Sequence, residues 1–368
     1  MKKLLSIILA VLAITACSTD DAYNLDYFTQ KYGNPGGGGE PTDTTDTTHI
    51  VVEPDTVFIG IAYEGATATL TGDVEKVTVS RIDADITLTS TTEKYLQLTL
   101  SGSTPDGSLL VYSQKAWGLV LNGVSITNAD GSAINNQCSK WLYVTLADNT
   151  ENTLTDGESY AAQAYDQKGT FFSEGQIRFT GTGKLTVNGN AKSGIVSDDY
   201  IVIDDGSLVI SAKADGGRGI KVNDGLTING GNTTITTTGD CKIETVDGVR
   251  DTTSAAGIKT DSLFTMTGGS LTITSKGDGG KGINATDSVV VSGGTLNVTT
   301  TGSNDESKPK GVKSDKAIVV SGGSFTVNVK KSWACDNGTE SEEPEDHLTI
   351  VGTPAVKTLT KRSVVVQY

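Results

Sequence analysis

A repeat restricts the fold of this chain more than any other feature. Aligned on Gly194, Gly219, Gly257, Gly282 and Gly311, the sequence returns at intervals of 25, 38, 25 and 29 residues. An aliphatic residue follows each glycine: Ile195, Ile220, Ile258, Ile283 and Val312. Further along each unit come the apolar pairs Ile201/Ile203, Leu226/Ile228, Phe264/Met266, Val289/Val291 and Ile318/Val320. A second glycine column (Gly206, Gly231, Gly269, Gly294, Gly323) and an apolar column (Ile210, Ile235, Ile273, Val298, Val327) complete the pattern. Each unit therefore holds three short strands of period-two alternation separated by glycine turns. One unit cannot bury its own apolar face, so units must stack like on like, with Ile195 beneath Ile220. The expected fold is all-β, a parallel β-helix (solenoid) with coils about 4.8 Å apart. Both glycine columns are expected at turns of positive φ. A two-sheet sandwich would not repeat column for column.

Earlier segments join with looser register: Gly169 lies 25 residues before Gly194, and Ala133-Ile134 lies 26 after Gly107-Ser108. The solenoid is assigned to 106–345. Residues 51–105 alternate differently and are expected to form an N-terminal β cap over the first open edge. Residues 346–368 are expected to supply a C-terminal strand that closes the other end.

The N-terminus reads as an address. Met-Lys-Lys, the apolar run Leu4–Ile14 and the small residues before Cys17 make a secretory signal over 1–16, too short to span a membrane. Ile14-Thr15-Ala16-Cys17 resembles a bacterial lipobox, so Cys17 is the expected lipidation site. Asp20-Asp21 resembles a surface-export signal. The expected localisation is an exported lipoprotein of the outer membrane, facing the periplasm or the cell surface and touching the membrane only through its lipid. Residues 17–50, with Gly36–Gly39 and repeated Asp-Thr-Thr, form a flexible tether.

Charge and composition narrow the chemistry. The formal charge is −15 with acidic residues throughout, which disfavours nucleic acid as a partner. Only His49 and His347 are present, which argues against histidine-ligated metals and a Ser-His-Asp triad. Cys138, Cys241 and Cys335 remain beside Cys17; three cannot pair completely, and no disulfide framework follows. A monomer is expected.

Three constellations carry candidate chemistry. Asp215, Asp240 and Asp278 recur at one turn of successive coils. Carboxylates stacked at about 5 Å repel unless a cation intervenes, and calcium takes such turn aspartates with backbone carbonyls. The alternative is that each caps its turn by bonding backbone. Arg218, Lys281 and Lys310 each precede the repeat glycine and line one side as candidate polysaccharide contacts. Trp117 and Trp141 lie 24 residues apart, either stacked as sugar platforms or packed inside. A further acidic column (Asp198/Asp199, Asp224, Asp261, Asp287, Asp315) has Lys221, Lys259 and Lys313 close by and reads as an exposed charge ladder.

The stretches Ser101–Leu110 (SGSTPDGSLL), Gly118–Thr127 (GLVLNGVSIT), Ser132–Asn136 (SAINN), Asp148–Gly157 (DNTENTLTDG) and Gly169–Val187, with the Gly-Ile/Gly-Gly coils, resemble a known bacterial family. It is the polysaccharide-lyase-like, carbohydrate-binding right-handed β-helix domain, and the resemblance covers about 95–335. The resemblance implies export, a right-handed helix, bound calcium and recognition of plant-type or acidic polysaccharide. In β-helical lyases a lone Lys or Arg abstracts the C5 proton of a uronate while calcium neutralises its carboxylate. Here the basic residues recur in register and no dense Asp cluster flanks a unique one, which suits non-catalytic binding better. A calcium-dependent uronate lyase and a structural adhesin or spacer without glycan binding are the alternatives.

Overall fold

Alternation sets each strand of the structure, a computed structural model that describes residues 56–305 and 307–368. In Ser207–Ala212, Leu208, Ile210 and Ala212 are buried while Ser207, Val209 and Ser211 are half-buried on the opposite face. The same inside-outside pattern recurs in Ser270–Ser275 and Thr295–Thr300. Among the described residues the chain is almost wholly β, with only two 3-10 turns, Val74–Lys76 and Pro344–His347.

The strands form a 21-stranded and an 11-stranded sheet, both largely parallel, and one two-stranded ribbon. Each unit gives its first strand to the smaller sheet and its next two to the larger. Ser193–Ser197 pairs with Arg218–Val222, Ile201–Ile203 with Leu226–Ile228, and Ser207–Ala212 with Asn232–Thr237, all parallel. This arrangement is consistent with a β-helix-like solenoid.

The expected apolar ladder is present. Ile195, Ile220, Ile258, Ile283 and Val312 sit opposite one another in succession and all lie in one core. The ladder extends upstream through Phe171, Ile134, Leu109 and Ile86. Here the sequence alignment needs correction. Matching Gly169 to Gly194 would put Thr170 opposite Ile195, and matching Ser108 to Ile134 would leave Leu109 outside the ladder. The structure pairs Phe171 with Ile195 and Leu109 with Ile134. Register follows the buried side chains, because a one-residue slip would turn every one of them to the other face.

The two glycine columns differ in their reason. Gly206, Gly231, Gly269, Gly294 and Gly323 have φ between 68° and 97°, as expected of left-handed turns. The repeat glycines do not have positive φ. A Cβ on Gly282 would lie 2.2 Å from Val298 Cγ1 and 2.5 Å from the Gly311 carbonyl oxygen. Close packing between stacked units excludes a side chain there.

Within 51–105, the expected N-terminal cap region, several described strands run parallel with those of the repeat. Leu96–Thr104 lies between Val57–Glu64 and Trp117–Asn128, and Asp85–Ser90 runs beside Ser108–Ser113. Antiparallel neighbours also occur there: Thr67–Gly72 on Val57–Glu64 and Thr78–Ile82 on Asp85–Ser90. Near the other terminus Ser363–Gln367 runs antiparallel to Ser324–Val329 and buries Val364 and Val366. The 38-residue interval of the repeat holds a hairpin, Lys242–Val246 with Val249–Thr253, turned at Asp247 (φ 51°) and Gly248 (φ 77°). The signal peptide 1–16, Cys17, the tether and residues 51–55 lie outside the described residues.

Candidate functional site

Leu142–Leu146 buries Leu142, Val144 and Leu146 and leaves Tyr143 and Thr145 half-buried on the outer face. On neighbouring strands Tyr143 stands opposite Gly118 on one side and Arg178 on the other. Gly118 offers no side chain, and Tyr95 fills the space: a Cβ there would lie 2.6 Å from the Tyr95 hydroxyl. Trp141, two residues before Tyr143, presents its ring 6.0 Å from that of Tyr143 with 19° between the planes. The result is an open aromatic strip of Tyr95, Tyr143 and Trp141. Arg178 ends it and donates from Nε to Asp204 Oδ2 at 2.5 Å. Asn229 donates to Asp204 Oδ1 at 2.9 Å and accepts from Thr267 at 2.8 Å, so polar groups continue the line. Burial raises the Tyr143 phenol and pushes that of Tyr95 up to about 12. Both hydroxyls therefore stay protonated at neutral pH and can donate to an acceptor. Flat rings beside such polar groups are what the faces and hydroxyls of a sugar chain require.

The two tryptophans do not stack on each other. Trp117 pairs with Leu142, has 0% exposure, and donates its indole N–H to Asn136 Oδ1 at 3.1 Å. It cannot meet a sugar from there. The spacing of 24 misled because Trp141 precedes its strand by one residue and faces outward. Sequence reasoning missed Tyr95 and Tyr143; the legible signal was Tyr143 at an outward position between Leu142 and Val144.

The basic residues do share a ladder on the smaller sheet, in the order Arg218, Ala256, Lys281, Lys310. Their environments differ. Lys310 is ion-paired to Asp336. Lys281 is 9% exposed, bonded to Ser254 Oγ, and held down to about 8 by burial and then by Lys310 and Lys313. Arg218 is half-buried with its Nε unpartnered, and burial lowers its pKa against the pull of Asp261. Lys281 would be the best-tuned proton acceptor of the three, yet it is buried and already donates to Ser254 Oγ, which in turn bonds Ser307.

Asp215, Asp240 and Asp278 do lie on one edge, all exposed. Asp215 Oδ1 accepts the Asp240 N–H at 2.9 Å, Asp240 Oδ1 the Asp278 N–H at 2.7 Å, and Asp278 Oδ1 the Ser303 N–H at 2.6 Å. Each carboxylate thus ties its unit to the next through one oxygen. In the other acidic column, Lys259 pairs with Asp261 at 2.6 Å, Lys316 with Asp287 at 2.6 Å, and Lys313 with Asp315. A cluster that sequence distance concealed, Asp166, Glu174 and Asp198, brings carboxylate oxygens within 4.8 Å of one another. Lys168 already bonds to both aspartates there.

Asp199 departs from the charge-ladder reading. Its Oδ1 is buried without a hydrogen-bond partner, and Gln176 donates to its other oxygen. Burial, and then Asp224, push its carboxyl from 3.8 up to about 6. A folded-state value above the unfolded one means that the folded protein holds this proton more tightly. Its contribution is present in full below pH 4 and is lost as pH rises through about 6. Between pH 5 and pH 8 the loss is about 1 kcal/mol once partial exposure is allowed for. Thermal melts at the two pH values are expected to show that fall, and Asp199→Asn to flatten it; an unchanged slope in the variant would remove Asp199 as its source.

Comparison with known proteins gives a consistent context. A family model described as carbohydrate-binding domain-containing protein matches residues 82–343. A curated protein of that description from Acetivibrio thermocellus is 30% identical over 164 residues, covering 42% of this chain and 56% of the relative. The chain thus spans about half the length of that relative. A solved structure, of the polysaccharide lyase-like protein from C. thermocellum as a gadolinium derivative, is similar with a TM-score of 0.57 and 27% identity. The similarity covers 72% of this chain and 97% of that one.

Proposed function

The chain belongs to the family of carbohydrate-binding domain-containing proteins, and on that premise we propose that it binds polysaccharide without cleaving it. The observation that carries this reading is the outward strip of Tyr95, Trp141, Tyr143 and Arg178. It is a row of half-buried rings on the outer face, which suits internal segments of a chain, and its one basic group, Arg178, is tied to the Asp204 carboxylate. Lys281, held down to about 8 chiefly by burial, is 9% exposed and bonded to Ser254. The polymer is proposed to be plant-type or uronate-rich.

Three finer elements complete the proposal. The fold is read as a closed right-handed β-helix, supported by ladders unbroken from Ile86 to Val312, with the antiparallel strands Thr67–Gly72 and Thr78–Ile82 as its N-terminal cap. Calcium is proposed along the edge of Asp215, Asp240 and Asp278, since each keeps one oxygen free of intramolecular bonds among the described residues. There it would relieve like-charge repulsion and could bridge to a uronate carboxylate. Lipidation of Cys17 would anchor a monomer to the outer membrane.

Native electrophoresis through gels holding uronate-rich or neutral polysaccharide, with and without chelator, tests the reading. Retardation by the uronate polymer is expected, with chelation lowering both retardation and melting temperature. Equal mobility in every gel would refute binding. Growth of ultraviolet absorbance from an unsaturated uronate product would refute the non-catalytic reading, and indifference to chelator would remove calcium. For the anchor, Cys17→Ser is expected to leave the membrane fraction; unchanged fractionation would sink it.

A further inference from the structure

Residues 337–348 follow the last strand of the smaller sheet, Cys335–Asp336, and lead to Thr349–Ile350, which runs beside Ile318–Val320 in the larger one. None of residues 337–346 is buried, and the segment's anchors are His347 and Leu348, at 1% and 5% exposure. The His347 ring lies 4.2 Å from that of Trp333, and Lys361 Nζ sits 4.4 Å from the centroid of the same indole. Lys361 in turn pairs with Glu342 at 2.6 Å, and Asn337 donates to the Asp346 carbonyl at 3.0 Å.

The two nitrogens of His347 are unequal. Nε2 lies 2.9 Å from the Ser341 carbonyl oxygen, which can only accept, so Nε2 carries the hydrogen of the neutral ring. Nδ1 is then a lone pair, buried without a hydrogen-bond partner among the described residues. It faces Asp336 Oδ1 at 3.9 Å. Asp336 bonds Lys310 through Oδ2 and accepts the Gly338 N–H on Oδ1 at 2.9 Å. Burial works against its ionisation, but the bonds from Lys310 and Gly338 prevail and hold its carboxyl below the ordinary value. Two acceptors therefore face each other with no hydrogen between them. A proton on Nδ1 turns that contact into a charge-assisted bond.

The surrounding groups decide whether a charge is tolerated there. Burial and Lys310 oppose it, but Lys310 is already neutralised by Asp336, and Lys361 by Glu342. Asp336 beside Nδ1 and the indole of Trp333 favour it. Glu345 and Asp346 of the same turn are exposed, and burial pushes the Cys335 thiol up, so it stays neutral.

We propose that His347 is a proton-operated latch: as pH falls Nδ1 takes one proton from solvent, bonds Asp336 and clamps residues 337–348, and as pH rises the proton leaves and the segment opens more readily. The folded state holds that proton more tightly than the unfolded chain, so the latch adds stability at acid pH and loses it as pH rises. In a stacked array the terminal unit protects the one beneath it, so this grip sets how readily the end frays.

The sequence has two histidines, His49 and His347, so ring-proton NMR on His49→Gln follows His347 alone. Its resonances are expected to titrate between pH 8 and pH 5, where histidine changes charge. Trp333 emission, taken as the difference between wild type and Trp333→Phe, should fall at least twofold on the acid side, because an imidazolium quenches the indole it touches. Cleavage after Glu342, Glu343 and Glu345 by a glutamate-specific protease, relative to a free peptide spanning 337–348, should be at least fivefold slower at pH 5 than at pH 8. His347→Gln should abolish both pH dependences, and Asp199→Asn should keep them, which separates the latch from the Asp199 effect. A His347 ring that does not titrate in the folded protein, or one that titrates while the corrected cleavage rate stays constant, would overturn the proposal.

Discussion

Ile258→Asp is expected to cost several kcal/mol of stability and to lower the melting temperature by roughly 10 °C or more. Ile258 is 0% exposed and lies between Ile220 and Ile283 in the inward ladder. A carboxylate there would meet apolar neighbours on both sides and have no cation within the core cluster. It must then either protonate or open the stack, and both are expensive. Position adds to the effect. In a stacked array each unit contacts chiefly its neighbours, so a break in the middle uncouples units on both sides. Lys259→Gln, one residue away on the outer face, removes an ion pair to Asp261 with hydrogen bonds to the Thr260 carbonyl and Thr286 Oγ1, and should cost only about 1 kcal/mol. Urea titration of the two variants measures the contrast. Comparable midpoints would mean that Ile258 does not face the core.

That contrast also marks what the sequence makes legible. Five units agreeing column by column can satisfy burial only by stacking, and the downstream strands follow in register. Upstream the same method slipped by one residue, since glycine identity was used to align Gly169 with Gly194 while the ladder is set by Phe171 against Ile195. A glycine can be kept for positive φ, as at Gly294, or for close packing, as at Gly282, and sequence does not distinguish the two. Site residues suffer from the opposite problem. The acidic and basic columns were visible because they repeat, and repetition itself suits the structural duties found for them, as in the Asp215, Asp240 and Asp278 bonds to the next unit. The aromatic strip is built from Tyr95, Trp141, Tyr143 and Arg178, which hold different places in their units, so no column announces it. It required the fold to bring Tyr95 over Gly118 and Arg178 beside Tyr143.

Trp141→Ala is therefore expected to weaken polysaccharide binding by about 2 kcal/mol, roughly thirtyfold in Kd, with little change in melting temperature. Its ring is half-exposed and its principal ring contact is Tyr143, so removal deletes contact surface without opening the core. Tyr143→Ala should have a similar effect. The double variant should lose less than the sum, because the two rings touch and each loss disturbs the other. Trp117→Phe supplies the mirror case. It removes the indole bond to Asn136 inside the core, so stability should fall by about 1–3 kcal/mol while affinity holds. Arg178→Ala is intermediate, since it removes a donor from the strip and leaves Asp204 with Asn229 as its remaining partner. Affinity electrophoresis and thermal melts on the four single variants and the double separate these outcomes. If Trp141→Ala and Tyr143→Ala retain wild-type affinity while another surface substitution abolishes it, the strip is not where the glycan lies. If Trp117→Phe weakens binding as much as Trp141→Ala, the effect on affinity is an indirect one through the core.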